Sequence, residues 1–454
     1  MKRKSLAVLV IALTALVAAA GVILTRDFGS DAHNRKKHLF DFEVYYTAGQ
    51  SLLYGQNSDG GQGRTDLYSE DFASGRVMDY RYPPFFLIAL IPLWALPAKP
   101  AAFVWLLLSA LSITACVMIL DRATTAFPLE GKKYKAAAWV ITALIVAQYF
   151  VMVVHYGNAH LIAISLLFGA LYSFLRKRLP LAGLLMALAI TIKLTPLILL
   201  PYFAFKKQWR LLALIGLFLA AINLLPSFYF GFGKNTELLK SWYSHVVADQ
   251  EFHETNGPIN LSLKGEMRRY LTEVDYNSRV DGDVDYRQIN FISLPVKTVD
   301  RIWMAVAAII FILGLMLVWW SARRQGEGDG RERVLLELGL MICLMLFVGP
   351  LTSKIYFIAL LWPVFFLAAF AFTSSSPGAR FGRRVLITVA AINLILPLLP
   401  GSSVQRLLLV VGADFFANCL VMMALAYVLI STRRTLPARS DRQQISSPSQ
   451  AKAP

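Results

Sequence analysis

The first candidate for chemistry in this chain is an acidic and aromatic segment, FDFEVYY, at residues 40–46. It follows the first apolar stretch, so we expect its carboxylates to lie where the membrane meets water. Aromatic packing removes a carboxylate from water and raises its pKa toward neutrality, as a general base requires. We interpret Asp41 as a candidate catalytic base, with Glu43 and Tyr45 as candidate substrate-binding residues beside it. The competing interpretation is a solvated loop carboxylate without a catalytic role.

Cations elsewhere in the chain are candidates to bind a phosphate group, and they are Lys193, Lys264, Arg268, Arg269 and Lys354. Negative charge that develops on a departing phosphate is stabilised best by cations already in place. Lys193 lies inside a long apolar segment, where a lysine is costly and therefore a functional candidate. The competing interpretation is a lysine whose long side chain reaches the membrane surface.

The sequence gives little support for a metal site. An acidic loop, DGDVD, occupies residues 281–285, but a calcium loop needs a glycine where Tyr286 stands and a glutamate where Ile292 stands. We interpret this loop as solvated, and no pair of histidines has a metal-binding spacing on an expected helix. The cysteines stand singly inside apolar segments, at Cys116, Cys343 and Cys419. The sequence therefore predicts neither a metal ion nor another cofactor.

Composition determines the class of protein to which these residues belong. The chain is 57% hydrophobic and 16% charged, with a mean hydropathy of +0.55, whereas a soluble domain has about 25% charged residues. Its apolar residues form long runs, and about 20 such residues let a helix cross a hydrocarbon core of about 30 Å. Because lipid offers no hydrogen bonds to the backbone, these runs predict helices. We expect an all-α polytopic membrane protein.

Hydropathy indicates one membrane domain over residues 1–430 with about twelve transmembrane helices. The expected spans are 1–25, 83–97, 101–120, 136–154, 161–175, 181–205, 211–230, 299–320, 334–349, 355–372, 385–399 and 406–430. We interpret the first as an uncleaved helix rather than a signal peptide, since many spans follow it. Two long polar loops, 26–82 and 231–298, interrupt the series. Residues 431–454 form a basic tail of disordered composition.

The formal net charge of +17 is dispersed in clusters at the expected helix ends. This is the pattern of the positive-inside rule, and nothing in it resembles a nucleic-acid-binding module. The rule predicts a plasma-membrane protein with both termini in the cytoplasm and both long loops at the outer face. The clusters at 132–135 and 176–178 disagree with this scheme, because they would face outward. Either a short segment such as 83–97 enters the membrane without crossing it, or these cations meet anionic lipids outside.

Several short motifs follow one another along the chain. They are the acidic and aromatic segment, Gly55, Leu67-Tyr68, YPP at 82–84, YGNAH at 156–160, KLTP at 193–196 and NLSLKG at 260–265. In this order they resemble glycosyltransferase family 87, the polyprenyl-phosphate-mannose-dependent transferases of the GT-C fold. The resemblance extends from about residue 40 to residue 363.

The resemblance implies a GT-C membrane fold and transfer of a hexose, with mannose as the expected sugar, from a polyprenyl-phosphate donor to a lipid or glycan acceptor. It also implies inversion at the sugar carbon and independence of metals. By their places in the motifs, Tyr82, Asn260 and Ser262 become candidate substrate-binding residues. One departure concerns GPLTSKIY at 349–356, where many members carry SPxSW followed by two histidines. Lys354 is the candidate to replace the missing positive charge, and the departure leaves the sugar and the acceptor open.

Two other functions stay open from the sequence. Twelve spans are common in secondary transporters, but transporters usually contain repeated halves. No second copy of the acidic and aromatic pattern follows residue 298. A glycan polymerase or ligase of GT-C type is the nearer alternative. The favoured interpretation predicts the sugar donor, the acceptor and membrane lipids as partners, and no nucleic acid.

Overall fold

The computed structural model describes residues 38–54, 67–68, 80–127, 132–248, 259–273, 287–324, 330–399 and 402–431. Within these ranges the chain is helical and contains no β-strand. The predicted first span, Gly55, the acidic 281–285 segment and the tail beyond residue 431 lie outside the described residues. The prediction of an all-α polytopic membrane protein is confirmed.

The α-helices are α1 (Phe40–Tyr54), α2 (Pro84–Ala89), α3 (Ile91–Trp94), α4 (Ala98–Ala123), α5 (Lys132–Tyr156), α6 (His160–Leu175), α7 (Leu179–Ile192), α8 (Leu200–Phe205), α9 (Trp209–Leu224), α10 (Ser227–Phe230), α11 (Phe232–Trp242), α12 (Leu263–Leu271), α13 (Val296–Arg324), α14 (Arg331–Val348), α15 (Leu361–Thr373), α16 (Pro377–Ile395), α17 (Ser402–Val411) and α18 (Ala413–Ser431). Shorter 3-10 helices cover Thr124–Ala126, Thr195–Leu199, Lys354–Leu360 and Leu396–Leu398. Prolines in the first turns of α2, α7 and α16 begin these helices where no intrahelical N–H bond is lost.

Six helical segments of the described chain are long and apolar enough to cross a membrane: Ala98–Ala123, Tyr134–Tyr156, Trp209–Phe230, Val296–Arg323, Lys354–Thr373 and Ala413–Ser431. Shorter apolar segments are His160–Leu175, Leu179–Ile192 and Thr195–Phe205. The Lys354–Thr373 segment is central, since 83% of its most apolar stretch is buried inside the protein. The corresponding fraction for Val296–Arg323 is 17%. The bundle therefore packs around the first of these segments and turns the second toward lipid.

Two predicted spans are divided in the structure. Residues 83–97 form α2 and α3, of six and four residues. At about 1.5 Å per residue neither helix approaches the roughly 30 Å of a hydrocarbon core. Residues 181–205 are interrupted at Lys193, which has extended backbone after α7, and the chain then returns through Thr195–Leu199 and α8. The first segment is thus no crossing helix, and the second is a hairpin.

These two changes bring the basic clusters to one end of the bundle. The chain turns back at Lys193, so α7 and α8 run in opposite directions. The turn before α7 (residues 176–178) and the turn after α8 (residues 206–208) therefore lie at the same end. Lys206 bonds to Glu337 at 2.8 Å, which ties this end to the start of α14. Residues 124–127, which follow α4, and the α15–α16 turn at 374–376 lie at that end as well. We call it the basic face, and the opposite end the site face.

Candidate active site

Asp41 lies in the first turn of α1, against the turn between α5 and α6. Its Oδ2 accepts a hydrogen bond from Asn158 Nδ2 at 2.7 Å, and the amide of Leu39 donates to the carbonyl of His155 at 2.7 Å. Gly157 occupies the left-handed region with φ +64°, and a Cβ there would lie 3.0 Å from atoms of Leu39 and of α1. A glycine therefore lets α1 approach the turn closely enough for Asn158 to reach Asp41.

The helical geometry separates Asp41 from Glu43. Two residues along a helix point in different directions, whereas residues four apart share a face. Glu43 is exposed, and Tyr45, four residues after Asp41, is buried. The structure thus places Tyr45 on the side of Asp41 and turns Glu43 away.

A group of buried phenols lines the same side of α1. The hydroxyls of Tyr45 and Tyr82 lie 2.7 Å apart, and Tyr68 donates to the carbonyl of Tyr82 at 2.8 Å. Burial raises the pKa of Tyr45 well above its usual value, and the neighbouring Tyr82 and Asp41 raise it further. Near neutral pH these phenols are therefore neutral hydrogen-bond donors.

Lys193 joins this group from the break after α7. Its Nζ lies 4.8 Å from the ring centre of Tyr82 and 5.2 Å from that of Tyr356, within cation–π distance of both. The same atom is 3.5 Å from the Tyr356 hydroxyl. No described carboxylate lies within ion-pair distance of Lys193, although the charge of Asp41 acts on it. The lysine is therefore held by aromatic rings near the candidate base.

His160 is a member of the cluster that sequence reasoning missed. It begins α6, is 1% exposed, and stacks on Tyr356 with ring centres 4.5 Å apart. Neither ring nitrogen has a hydrogen-bond partner among the described residues. The signal in the sequence was its position two residues after Asn158, in the YGNAH motif. Asp41, Asn158, Tyr82, Lys193 and His160 with its stacking partner form what we call the Asp41 cluster.

Asn260 and Ser262 have structural partners at the site face. Asn260 Nδ2 donates to the Pro350 carbonyl at 3.0 Å, and its Oδ1 accepts from the amides of Ser262 and Thr352 at 3.1 Å each. A Cβ on Gly265 would lie 2.1 Å from the Asn260 carbonyl oxygen, so this loop requires the glycine. Both candidate residues are fully buried, and they fix the 259–262 loop against residues 350–352.

The cations of α12 are paired with carboxylates of the protein. Arg268 Nε donates to Asp300 at 2.8 Å, and Lys264 lies 3.9 Å from the same carboxylate. Arg269 bonds to Glu266 and donates to the carbonyl of Val410 at 2.8 Å. The three predicted phosphate partners on this helix are thus committed to other groups and lie apart from the Asp41 cluster.

Lys354 also has a carboxylate partner. Its Nζ is 3.3 Å from Asp414, which accepts a hydrogen bond from Tyr149 at 2.8 Å. A small cleft of about 40 Å³ beside this pair is lined by amides and apolar residues of α5, α16 and α17. Segment 349–356 thus touches three groups: the Asn260 loop through Pro350, Asp414 through Lys354, and the Asp41 cluster through Tyr356.

No metal-binding geometry occurs in the part of the chain that the structure describes. Within it, no three His, Cys, Asp or Glu side chains come together as ligands. The acidic 281–285 segment lies outside the described residues, so the expectation of a metal-free reaction stays a prediction.

Comparisons with known proteins bear on the whole arrangement. The model of glycosyltransferase family 87 matches residues 80–353, a range that includes Tyr82, Asn158 and Lys193 but not Asp41 or Lys354. No curated protein sequence matches the chain. Among solved structures, the crystal structure of ArnT from Cupriavidus metallidurans bound to undecaprenyl phosphate aligns with a TM-score of 0.44 and 15% identity. The alignment covers 94% of this chain and 77% of that one.

Proposed function

This chain belongs to glycosyltransferase family 87, and from that premise we propose that it transfers a hexose from a polyprenyl-phosphate-linked donor to a hydroxyl of a lipid or glycan acceptor. Membership makes the protein a membrane glycosyltransferase, and it supports the GT-C fold and mannose as the proposed sugar. The proposed place of reaction is the site face, which we assign to the outer side of the plasma membrane.

The observation that carries the proposal is that a carboxylate and a lysine with no ion-pair partner among the described residues lie in one cluster at one end of the bundle. Asp41 is oriented by Asn158 at 2.7 Å, and Lys193 sits over Tyr82 in the same cluster. Transfer from a phosphate-linked sugar requires a base for the acceptor and a cation for the leaving group. The Asp41 cluster supplies both types of group, whereas the other candidate cations are paired with Asp300, Glu266 and Asp414.

In the proposed step, Asp41 takes the proton of the acceptor hydroxyl. The acceptor oxygen then attacks the anomeric carbon from the side opposite the phosphate, and the bond from carbon to phosphate oxygen breaks. The bonding electrons leave with the polyprenyl phosphate, whose added negative charge lies best beside Lys193. Attack from the opposite side inverts the configuration of the sugar carbon. The neutral phenols of Tyr45 and Tyr82 are donors for oxygens of the sugar or the phosphate.

The proposal is tested with purified protein in lipid nanodiscs. A radiolabelled polyprenyl-phosphate mannose and a mixture of lipid and glycan acceptors from the native membrane are supplied, and labelled products are separated by size. We expect one hexose to be added per acceptor. Formation of long glycans instead would favour the polymerase or ligase alternative. Absence of transfer with mannose, glucose and galactose donors alike would contradict the proposed donor class.

A further inference from the structure

A second polar site lies on the basic face, at the end of the bundle away from Asp41. A cavity of about 380 Å³ opens between the end of α4, the end of α6 and the start of α7. Its lining residues are Arg122, Tyr172, Ser173, Arg176, Arg178 and Leu181. Nothing in the proposed reaction uses this cavity.

Three guanidinium groups face the cavity without a carboxylate to balance them. Arg122, Arg176 and Arg178 are exposed, and none of them forms an ion pair with a described residue. The nearby carboxylate of Asp121 is already taken by Lys135 at 2.5 Å. By contrast, Arg333 on the same face forms an ion pair with Glu337 at 3.0 Å. The three arginines therefore leave positive charge concentrated around one cavity.

The start of α7 adds backbone donors to this charge. The helix has 14 residues, and the side chain of its N-cap residue, Arg178, forms no capping bond. Pro180 has no N–H, so the amides of Leu179 and Leu181 are the first-turn donors that lack partners within the helix, and such a helix end favours an anion. Lys177, at φ +59°, closes the turn so that the Arg178 amide donates to the Ser173 carbonyl at 2.9 Å. This turn brings Arg176 and Arg178 to the same opening.

We propose that this cavity binds the phosphate group of an anionic membrane lipid. Guanidinium forks match phosphate oxygens in geometry, and three of them with a helix N-terminus form a phosphate site. An apolar neighbour favours a lipid over a free phosphate: Leu181, at the edge of the cavity, is 41% exposed. The arginines lie at helix ends, where lipid headgroups meet water, and Leu181 faces the position of an acyl chain.

Such a lipid would act at a distance on the Asp41 cluster through two helices. The cavity lies at the end of α6 and the start of α7. The other ends of these helices are His160, which begins α6, and Lys193, which follows α7. Occupation of the cavity therefore ties together the two helices that position these residues, and we expect it to raise the thermal stability of the protein.

The test compares two variants that lose the same charge on the same face. Arg176→Gln/Arg178→Gln removes two cavity arginines, and Lys207→Gln/Arg210→Gln removes two exposed cations outside it. Native mass spectrometry measures retention of phosphatidylglycerol by the purified protein, and the apparent melting temperature is recorded with and without this lipid. One lost charged hydrogen bond corresponds to roughly tenfold in Kd or more. We expect at least that loss, and loss of the lipid-induced rise in melting temperature, in the first variant alone.

Equal retention of phosphatidylglycerol by both variants would overturn the proposal, since the effect would then be general surface charge. A third arm uses zwitterionic lipid nanodiscs with inorganic phosphate. Stabilisation by millimolar phosphate, without selective retention of phosphatidylglycerol, would assign the cavity to a soluble phosphate compound and overturn the lipid assignment.

Discussion

The carboxylate of Asp41 offers the most direct test of chemistry at the level of one residue. Asn in its place keeps the shape and still forms a hydrogen bond to Asn158, but it cannot accept a proton. A general base contributes about 10²–10⁴-fold to rate. We therefore expect Asp41→Asn to lower kcat by about this factor with little change in donor Kd. Single-turnover transfer and equilibrium donor binding measure the two quantities separately.

Glu43 provides the matched control for this substitution. It lies on the same helix but is exposed and turned away from Asn158, so we expect Glu43→Gln to retain nearly normal transfer. An Asp41→Asn enzyme with near-normal kcat would refute the assignment of the base. Loss of activity in Glu43→Gln beside it would move the base to Glu43.

Lys193 should matter for the donor, because no described carboxylate lies within ion-pair distance of its charge. Lys193→Gln is expected to weaken donor binding by roughly tenfold or more, as a lost charged hydrogen bond does. Lys264→Gln is the control, since Lys264 lies near Asp300 and over the ring of Trp303. The measurement is the Kd for a polyprenyl-phosphate sugar. Normal binding by Lys193→Gln with weakened binding by Lys264→Gln would move the phosphate site to α12.

Motif order pointed to Asp41, Tyr82 and Lys193, and the structure places these three in one cluster, while their roles stay predictions. His160 and Tyr356 lie in two of the motif segments as well, but motif order alone does not show that they join the same cluster. Their stacking joins the start of α6 to the segment before α15, and nothing local in the sequence records that contact. The carboxylate partners of Arg268 and Arg269 could not be predicted for the same reason, since a sequence does not show which carboxylate contacts a given cation.

At the scale of elements, hydropathy found the apolar segments but not their divisions. It sums apolar character over a window, and residues 83–97 contain enough of it to look like a span. Pro83, Pro84, Pro92 and Pro97 limit that segment to helices of six and four residues. In the second case Pro196 has no N–H to donate to the carbonyl of Ile192, four residues earlier, and its ring clashes with that carbonyl, so α7 ends at Ile192 and the break at Lys193 follows.

The division of these two segments predicts a topology that differs from the sequence scheme at residues 176–178. With the site face outside, Lys177 lies in the cytoplasm and Glu237 of α11 lies outside. Both residues are exposed. In a background without Cys116, Cys343 and Cys419, a cysteine at position 237 should react with an impermeant thiol reagent in intact cells. One at position 177 should react only after permeabilisation.

Labelling of position 177 in intact cells would restore the alternative in which this cluster meets anionic lipids outside. It would also place the arginine cavity at the outer face. Protection of position 237 would reverse the orientation of the whole bundle, so the two positions test different parts of the scheme.

Helix α12 is anchored by a buried ion pair, and its loss should show in stability rather than in donor binding. Arg269 and Glu266 are 1% and 3% exposed. Removing one partner of a buried pair leaves an unpaired charge and costs about 3–5 kcal/mol. Arg269→Ala is therefore expected to lower the free energy of unfolding by about this amount, measured by titration with a denaturing detergent.

Arg268→Ala serves as the comparison, because the side chain of its partner Asp300 is 27% exposed and water can solvate it. We expect a smaller loss of stability there. If Arg269→Ala has an unchanged free energy of unfolding but binds the donor poorly, Arg269 takes part in donor binding and its pairing with Glu266 is not its main role.

For the whole molecule, composition predicted the class but not the arrangement. The Lys354–Thr373 and Val296–Arg323 segments have mean hydropathies of 2.3 and 2.6, yet 83% of one window is buried and 17% of the other. In lipid, the surface and the core of a bundle are both apolar, so hydropathy cannot tell a central helix from a peripheral one. The charges are more informative, since the basic clusters gather at one end and the Asp41 cluster lies at the other.

This separation of charge leads to the last prediction, which concerns metals. The donor carries its own leaving group, and the proposed reaction meets the departing charge with Lys193, so no metal ion is required by the mechanism. Transfer in nanodiscs should keep its full rate after dialysis against EDTA. Added manganese or calcium should change the rate by less than the substitution of Lys193 does. Complete loss with EDTA, restored by either metal, would contradict this. The triple variant Asp281→Asn/Asp283→Asn/Asp285→Asn would then show whether the acidic loop holds the ion. If these carboxylates are the ligands, added metal should no longer restore the activity of this variant.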